Sequence, residues 1–300
     1  MTVGDSFPTG RTGRVIAHHG VRVKIETDTG DVIQFKPPRR SVWVVGDIVV
    51  FKEERPVAIL PRTTELARRS PTGAPQPIAA NIDRLLIVTA CGESFKEALV
   101  DRFIVAARHA GVAPAVVVNK IDLAVADETA KAERAWGAFG VPVLPVSAAT
   151  GAGVEAIRTL LADTVGALVG QSGVGKTSLI NRLIPGLDRA VGAVNVKTEK
   201  GAHTTSSALL VKIPGSSGAI IDSPGVRQFA PSGLAPVDVA RYFPGFETVS
   251  GKCRFRDCLH ETEPACAIRQ AWKEGALPDG LYDSYKRLLA SVKEDARIDR

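Results

Sequence analysis

The stretch Gly170-Gln171-Ser172-Gly173-Val174-Gly175-Lys176-Thr177 constrains this chain more than any other. An apolar run, 165–169, precedes it and reads as a short buried strand. Ser178-Leu179-Ile180-Asn181-Arg182-Leu183-Ile184 follows, with apolar residues at helical spacing. A glycine-rich turn between strand and helix leaves backbone N–H groups free to point inward, and the helix N-terminus adds partial positive charge. Such a turn cradles the α and β phosphates of a nucleotide. Lys176 then reaches the β and γ phosphates, and the Thr177 hydroxyl reaches Mg²⁺. The expected phosphate site is Gly170 through Ser178.

The rest of the chain divides by rhythm. Residues 1–65 alternate short strands with glycine-rich turns, as in Val21-Arg22-Val23-Lys24-Ile25-Glu26. About five such strands predict a small closed barrel, and the oligonucleotide-binding (OB) barrel has that strand count. Trp43 is expected in its core. Residues 66–80 are rich in proline and polar residues and read as a linker. From Asn81 strands and helices alternate. Strands are expected at 85–88, 115–118, 141–146 and 165–169, helices at 95–110, 126–139 and 154–161, and a hairpin at 208–221. That alternation predicts a mostly parallel sheet covered on both faces. Past residue 235 the pattern is helical, and Tyr285, Leu288, Leu289 and Val292 form the apolar stripe of a helix over 281–297.

The chain has 300 residues and a net charge of +6, with a pI of about 9.2. Residues 1–69 hold 12 Lys/Arg and 8 Asp/Glu, so +4 of that excess sits in the first quarter. A basic end suits a polyanion such as RNA, and it equally suits an ordinary solvated surface; both readings stay open. Arg39, Arg40, Arg68 and Arg69 are the candidate phosphate contacts. No apolar run is long enough to span a bilayer. Met1 to Gly10 lacks the basic-then-apolar pattern of a secretion signal, so a cytoplasmic chain with no membrane partner is expected.

Three of the four cysteines cluster as Cys253-x₄-Cys258-x-His260-x₅-Cys266. Three thiolates and an imidazole suit a closed tetrahedral zinc site with a structural role. Metal binding in so small a unit contributes on the order of 10 kcal/mol of apparent folding free energy. Lys252, Arg254 and Arg256 lie beside the cluster, where they can meet RNA phosphates. Cys91 stands apart and reads as a small buried apolar residue.

Three further loops decide the nucleotide. Asn119-Lys120-Ile121-Asp122 follows a strand, and the Asp122 carboxylate can accept from both the N1–H and the exocyclic amine of guanine. Adenine offers no such pair of donors, and a site built on such bonds can reject an analogue lacking them by about 10⁴–10⁵. Asn119 would brace the loop and Lys120 cover the ring. A backbone N–H of Ser147-Ala148 can meet guanine O6. Asp222-Ser223-Pro224-Gly225 ends the hairpin: Asp222 can hold Mg²⁺ through water, and the Gly225 N–H can meet the γ-phosphate. Thr204 or Thr205 is placed to close over Mg²⁺ and γ-phosphate. In an ordinary GTPase the phosphate loop comes first, whereas here Asn119 and Ser147 precede Gly170. Strand neighbours, not chain order, fix a sheet, so a permuted chain can build the same site.

With these motifs the chain resembles the ribosome-small-subunit-dependent GTPases, the RsgA or YjeQ family, over nearly its whole length. The resemblance rests on Asn119 to Asp122, Gly170 to Thr177, His203-Thr204-Thr205, Asp222 to Gly225 and the cysteine cluster. It implies GTP hydrolysis to GDP stimulated by the 30S ribosomal subunit, a role in late subunit maturation, contact with 16S rRNA, and an OB-type barrel. The implied architecture is multidomain: an OB-fold RNA-binding barrel over 1–69, a circularly permuted α/β GTPase over 70–235 and a helical zinc-binding domain over 236–300, in a monomer. Two positions depart from expectation. The family often has arginine before His-Thr-Thr, and here that residue is Ala202. Val226 stands where many GTPases carry a water-orienting glutamine, a feature the family shares. Slow intrinsic turnover is therefore expected, with the aligning group supplied by another residue or by the ribosome. His203 is the in-chain candidate beside Lys176, Thr205, Asp222 and Gly225, and it equally reads as a switch-loop residue that only touches the ribosome. An alternative keeps the RNA-binding role and makes the nucleotide a sensor, with hydrolysis incidental. Asp122 disfavours an ATP-dependent enzyme.

Overall fold

A computed structural model describes residues 11–39, 41–69, 75–124, 127–187, 208–223, 226, 234–247, 249, 251–278 and 280–298. Arg40, Ala202, His203, Thr204, Thr205, Pro224 and Gly225 lie outside the described residues.

The centre is a sheet built from β8 (Arg84–Ala90), β9 (Ala113–Asn119), β10 (Val143–Pro145), β11 (Val165–Val169), β12 (Ala208–Lys212) and β13 (Ala219–Asp222). Their spatial order is β10-β9-β8-β11-β13-β12. All neighbours are parallel except β12, which pairs antiparallel with β13. The strands read as continuous apolar runs because both faces are covered. Leu85, Ile87, Val116, Val118, Ala167 and Val169 turn to one face, where α1 (Glu97–His109) and α2 (Glu128–Ala135) supply Phe103, Ile104, Ala107 and Ala132. Leu86, Val88, Ala115, Val117 and Leu168 turn to the other, against Val154 and Ile157 of α3 (Val154–Leu160) and Leu179, Ile180 and Leu183 of α4 (Lys176–Leu183).

The N-terminal unit is strand-rich as expected. It comprises β1 (Thr12–His19), β2 (Arg22–Thr27), β3 (Val32–Phe35), β4 (Ile48–Lys52) and β5 (Arg55–Ile59). β1 pairs with both β2 and β4 around a core of Val15, Val23, Ile25, Trp43, Val49 and Phe51. The apolar run 42–51 is not one strand. Gly46 takes φ of +95°, and the Asp47 carboxylate turns back to accept from the Val44 N–H at 2.8 Å. The end of β1 also pairs with β12, Ala17 opposite Leu209 and His18 opposite Ala208, so the N-terminal unit and the central sheet share hydrogen bonds.

The expected linker at 66–80 is instead an antiparallel ribbon of β6 (Glu65–Arg69) and β7 (Pro75–Ala80). Leu66 and Ala79 are buried in the same cluster as β8 and α1, with Val45 from the N-terminal unit. Prolines are tolerated here because a two-stranded ribbon leaves one edge of each strand without a partner.

The C-terminal unit holds α5 (Pro236–Tyr242), α6 (Ala267–Lys273) and α7 (Leu281–Ile298). Tyr285, Leu288, Leu289 and Val292 are buried as their spacing predicts, packed with Val239, Phe243 and Phe246 and with Val105 of α1. Arg108 of α1 reinforces this contact, donating to Glu247 at 2.5 Å and to the Tyr242 carbonyl at 3.3 Å.

Candidate guanine-nucleotide site and metal cluster

Parallel strands end on the same edge of a sheet, and ligands of such sheets bind beyond their carboxyl ends. β9 ends at Asn119, β10 leads to Ser147, β11 to Gly170, and β13 ends at Asp222. All four sequence-predicted loops therefore open on one edge, although the chain visits them out of the ordinary order.

The phosphate loop needs its glycines for a stated reason. At Gly170, φ is +139° and a Cβ would sit 2.1 Å from the Val88 carbonyl oxygen. At Gly175, φ is +96° and a Cβ would lie 2.2 Å from Asn119 Nδ2. The loop thus presses on the strand beside it and on the guanine-side loop. Val174 is buried beneath it, while Gln171, Ser172, Gly173, Thr177 and Ser178 face outward. The Lys176 ammonium donates to the Gly170 carbonyl at 2.7 Å and the Gln171 carbonyl at 2.6 Å, which places it across the loop mouth.

Asn119 ties the loops together. It is 1% exposed. Its Nδ2 donates to the Val174 carbonyl in the phosphate loop at 2.8 Å, and its Oδ1 accepts from the Ala148 N–H at 3.0 Å. Lys120, at φ of +62°, donates to the Gly173 carbonyl at 2.8 Å. One short segment therefore touches both other loops. Asp122 is exposed at the rim. Ser147 is fully buried, and its hydroxyl accepts from the Thr150 N–H at 3.1 Å. The Ala148 N–H already serves Asn119, so a guanine O6 has to share it.

Asp222 is half-buried at the end of β13, next to β11, while Thr177 stands in the first turn of α4. Hydroxyl and carboxylate oxygens are the donors that suit Mg²⁺. Val226 is 1% exposed and belongs to the core under the sheet, and its N–H donates to Ser223 Oγ at 3.0 Å. It has no polar group to offer a water.

The C-terminal cluster assembles as its spacing predicts. One ligand atom each from Cys253, Cys258, His260 and Cys266 lies within 4.8 Å of all the others. His260 Nδ1 is 3.5 Å from Cys253 Sγ and 3.3 Å from Cys266 Sγ. Backbone N–H groups of Ala267 and Arg269 point at Cys253 and Cys266 sulfurs, at 3.3 and 3.4 Å. Burial pushes the Cys258 thiol up to about 12 and holds His260 below its ordinary value. Three sulfurs and an imidazole brought this close form a donor set that fits a soft divalent metal.

The sequence description of RsgA GTPases matches residues 59–231, more than half of the chain. The chain belongs to the RsgA GTPase family. It is 42% identical over 305 residues to the small ribosomal subunit biogenesis GTPase RsgA of Ectopseudomonas mendocina (strain ymp), covering 97% of this chain and 88% of that one. It is 41% identical over 301 residues to the protein of the same name from Pseudomonas aeruginosa (strain LESB58), with the same coverage. Among solved structures, YjeQ from Thermotoga maritima superposes with a TM-score of 0.76 at 26% identity, over 94% of this chain and 98% of that one. YloQ, described as a circularly permuted GTPase, gives 0.73 at 24% identity over 98% and 99%, a likeness of fold. This RsgA-family chain is thus a GTP hydrolase of permuted fold, and GTP, GDP and Mg²⁺ belong to its reaction.

Some supporting residues of this RsgA-family chain carry no motif. Glu263 accepts from the Leu259, Glu261 and Thr262 N–H groups at 2.7, 2.8 and 3.0 Å and shapes the metal loop. Tyr282 and Tyr285 donate to the His260 and Leu259 carbonyls at 2.5 and 2.9 Å. Arg158 reaches from α3 to the end of α4, and Arg182 from α4 to the loop at Ala148 and Ala149. An arginine in the last turn of a helix has an ordinary explanation in the helix dipole, so sequence alone does not single them out.

Proposed function

We propose that this GTPase acts on the 30S ribosomal subunit during its late maturation and that subunit binding accelerates its turnover. The carrying observation is Asn119, hydrogen-bonded at once to Val174 and Ala148. It supports one pocket in which Asp122 reads guanine N1–H and amine, an Ala148 N–H meets O6, Lys120 covers the ring, and Gly170 to Ser178 grip the phosphates. Curated relatives named as small ribosomal subunit biogenesis GTPases support the target.

Within that reading, Lys176 neutralises charge on the β and γ phosphates as the terminal P–O bond breaks. Thr177, Asp222 and Thr205 are the residues that would hold Mg²⁺, which when bound would supply positive charge to neutralise the phosphates. The Gly225 N–H is assigned to the γ-phosphate. His203 is assigned the alignment of the attacking water, since Val226 cannot do it. We place the divisions at 1–69, 70–235 and 236–300, with the β6–β7 ribbon spanning the first. The five N-terminal strands form an OB-type barrel that contacts 16S rRNA, with basic residues including Arg39 beside the barrel and Arg68 on the β6–β7 ribbon. Cys253, Cys258, His260 and Cys266 hold one structural Zn²⁺, with Arg254 and Arg256 toward rRNA. The protein works as a cytoplasmic monomer. Among the described residues no helix is long and apolar enough to cross a membrane.

Steady-state GTP hydrolysis with and without purified 30S particles tests the proposal. A stimulation of tenfold or more by 30S and not by 50S is expected. The buried Val226 favours a second reading, a sensor that binds GTP on the subunit and hydrolyses it incidentally; 30S binding without stimulation would select it.

A further inference from the structure

Arg182 sits in the last turn of α4, the helix that starts at the phosphate loop. Its Nε–H donates to the Ala148 carbonyl at 3.2 Å and its Nη2–H to the Ala149 carbonyl at 2.5 Å. Ala148 is therefore held at both ends, because its own N–H donates to Asn119 Oδ1 at 3.0 Å. The guanidinium lies close against the loop: a Cβ built on Gly151 would be 3.5 Å from Arg182 Cζ. Arg158 of α3 returns the contact, donating to the carbonyls of Leu183 at 2.9 Å, Arg182 at 3.3 Å and Pro214 at 3.0 Å. So the end of α4 that carries Arg182 is itself fixed. A planar fork of donors can serve two carbonyls at once, whereas an ammonium is a single point.

We infer that Arg182 is a positioning residue for guanine recognition, tying the phosphate-loop helix to the loop whose Ala148 N–H meets O6. The inference rests on the assignment of Ser147-Ala148 to guanine. Other restraints on this loop are Asn119, the loop's internal hydrogen bonds (the Gly151 N–H to the Ser147 carbonyl at 2.8 Å and the Ser147 N–H to the Ala152 carbonyl at 2.9 Å) and the packing of Ala148 against the core. Without Arg182 the Ala148 and Ala149 carbonyls turn to water, and the direction of the Ala148 N–H is left to Asn119 and the loop's own contacts. Asp122 stands on a different loop and keeps its grip on N1–H and the amine. The effect is therefore confined to O6.

The test measures release of three bound nucleotides from the full chain by stopped-flow displacement. GDP is the reference. Inosine diphosphate keeps O6 and lacks the amine, and 6-thioguanosine diphosphate keeps N1–H and the amine but carries sulfur at the O6 position. Release rates report only molecules that hold nucleotide, so a partly unfolded sample does not distort them. In Arg182→Gln, GDP and inosine diphosphate are expected to leave about fivefold faster, a charged hydrogen bond discounted for exposure. The thio nucleotide should change less than twofold, so its penalty relative to GDP shrinks. Arg182→Lys should recover less than half of the loss. GDP release within twofold of wild type, or equal acceleration of all three nucleotides, overturns the inference. If wild type itself does not separate GDP from the thio nucleotide, the Ala148 assignment fails and the inference with it. If wild type does separate them and the ratio survives Arg182→Gln, only the role of Arg182 falls.

Discussion

Replacing Asn119 by alanine removes the side chain on which three loops meet. The residue is 1% exposed, and both ends of its amide are engaged. Truncation leaves the Val174 carbonyl and the Ala148 N–H without their partner. An orphaned buried group costs about 1–3 kcal/mol. Ala148 is only half-buried and water can reach it, so the two together come to about 3 kcal/mol. Charged against nucleotide binding, that is a loss of roughly 100-fold in affinity. Asn119→Asp is a sharper control of nearly equal volume. It keeps an acceptor for the Ala148 N–H but sets an oxygen against the Val174 carbonyl, so its loss should be at least as large. Isothermal titration with GDP checks both, with circular dichroism to confirm that the free chain still folds. A dissociation constant for Asn119→Ala within threefold of wild type would show that the loops hold position without it, and the argument from this junction would be wrong.

Lys176→Ala should abolish measurable GTP binding and turnover; an unchanged rate removes the phosphate-loop assignment. Asp47 is fully buried and paired with Arg62 at 2.7 Å where the N-terminal strands and the ribbon meet. Asp47→Ala leaves that guanidinium with Glu65 and the Val42 carbonyl, and urea unfolding should show a loss of about 3 kcal/mol; a loss below about 1 kcal/mol counts against it. Asp101 has its carboxyl raised to about 6, by burial first and by Glu97, against the opposing Trp136 hydrogen bond and Arg287. The folded state thus holds this proton more tightly than the unfolded chain, and stability is lost as pH rises from about 4 through about 6. Asp101→Asn keeps the acceptor for Trp136 and should be more stable than wild type at pH 7 by roughly 2–3 kcal/mol, a gap that closes toward pH 4; a gap independent of pH refutes it. Elemental analysis should find one zinc per chain, lost together with thermal stability on chelation or in Cys258→Ser, and a zinc-free stable protein would contradict the metal assignment.

The nucleotide loops are legible in sequence because their chemistry is local. Gly170 and Gly175 are needed where they stand, and Asp122 follows its strand at fixed spacing. The central strands are legible because burial on both faces writes uninterrupted runs such as 115–118. The ribbon at 65–80 was not. Pro75 and Pro77 read as breakers, yet in a two-stranded ribbon they pair opposite Arg69 and Ala67, and nothing local says that Leu66 and Ala79 will be buried between two units. The β1–β12 pairing joins residues about 190 positions apart, beyond any periodicity. Asn119 was legible as a brace, but its partners Val174 and Ala148 are facts of folding. Arg182 is an ordinary surface arginine until the loop it touches is seen.

The account turns on one pocket built from loops scattered along the chain. A crystal structure with a non-hydrolysable GTP analogue and Mg²⁺ tests it most directly. The account predicts a single nucleotide with its base against Asp122 and Ala148, its β and γ phosphates on Lys176, and its metal beside Thr177 and Asp222. Phosphates bound at Lys176 with the base directed away from Asp122 would contradict it.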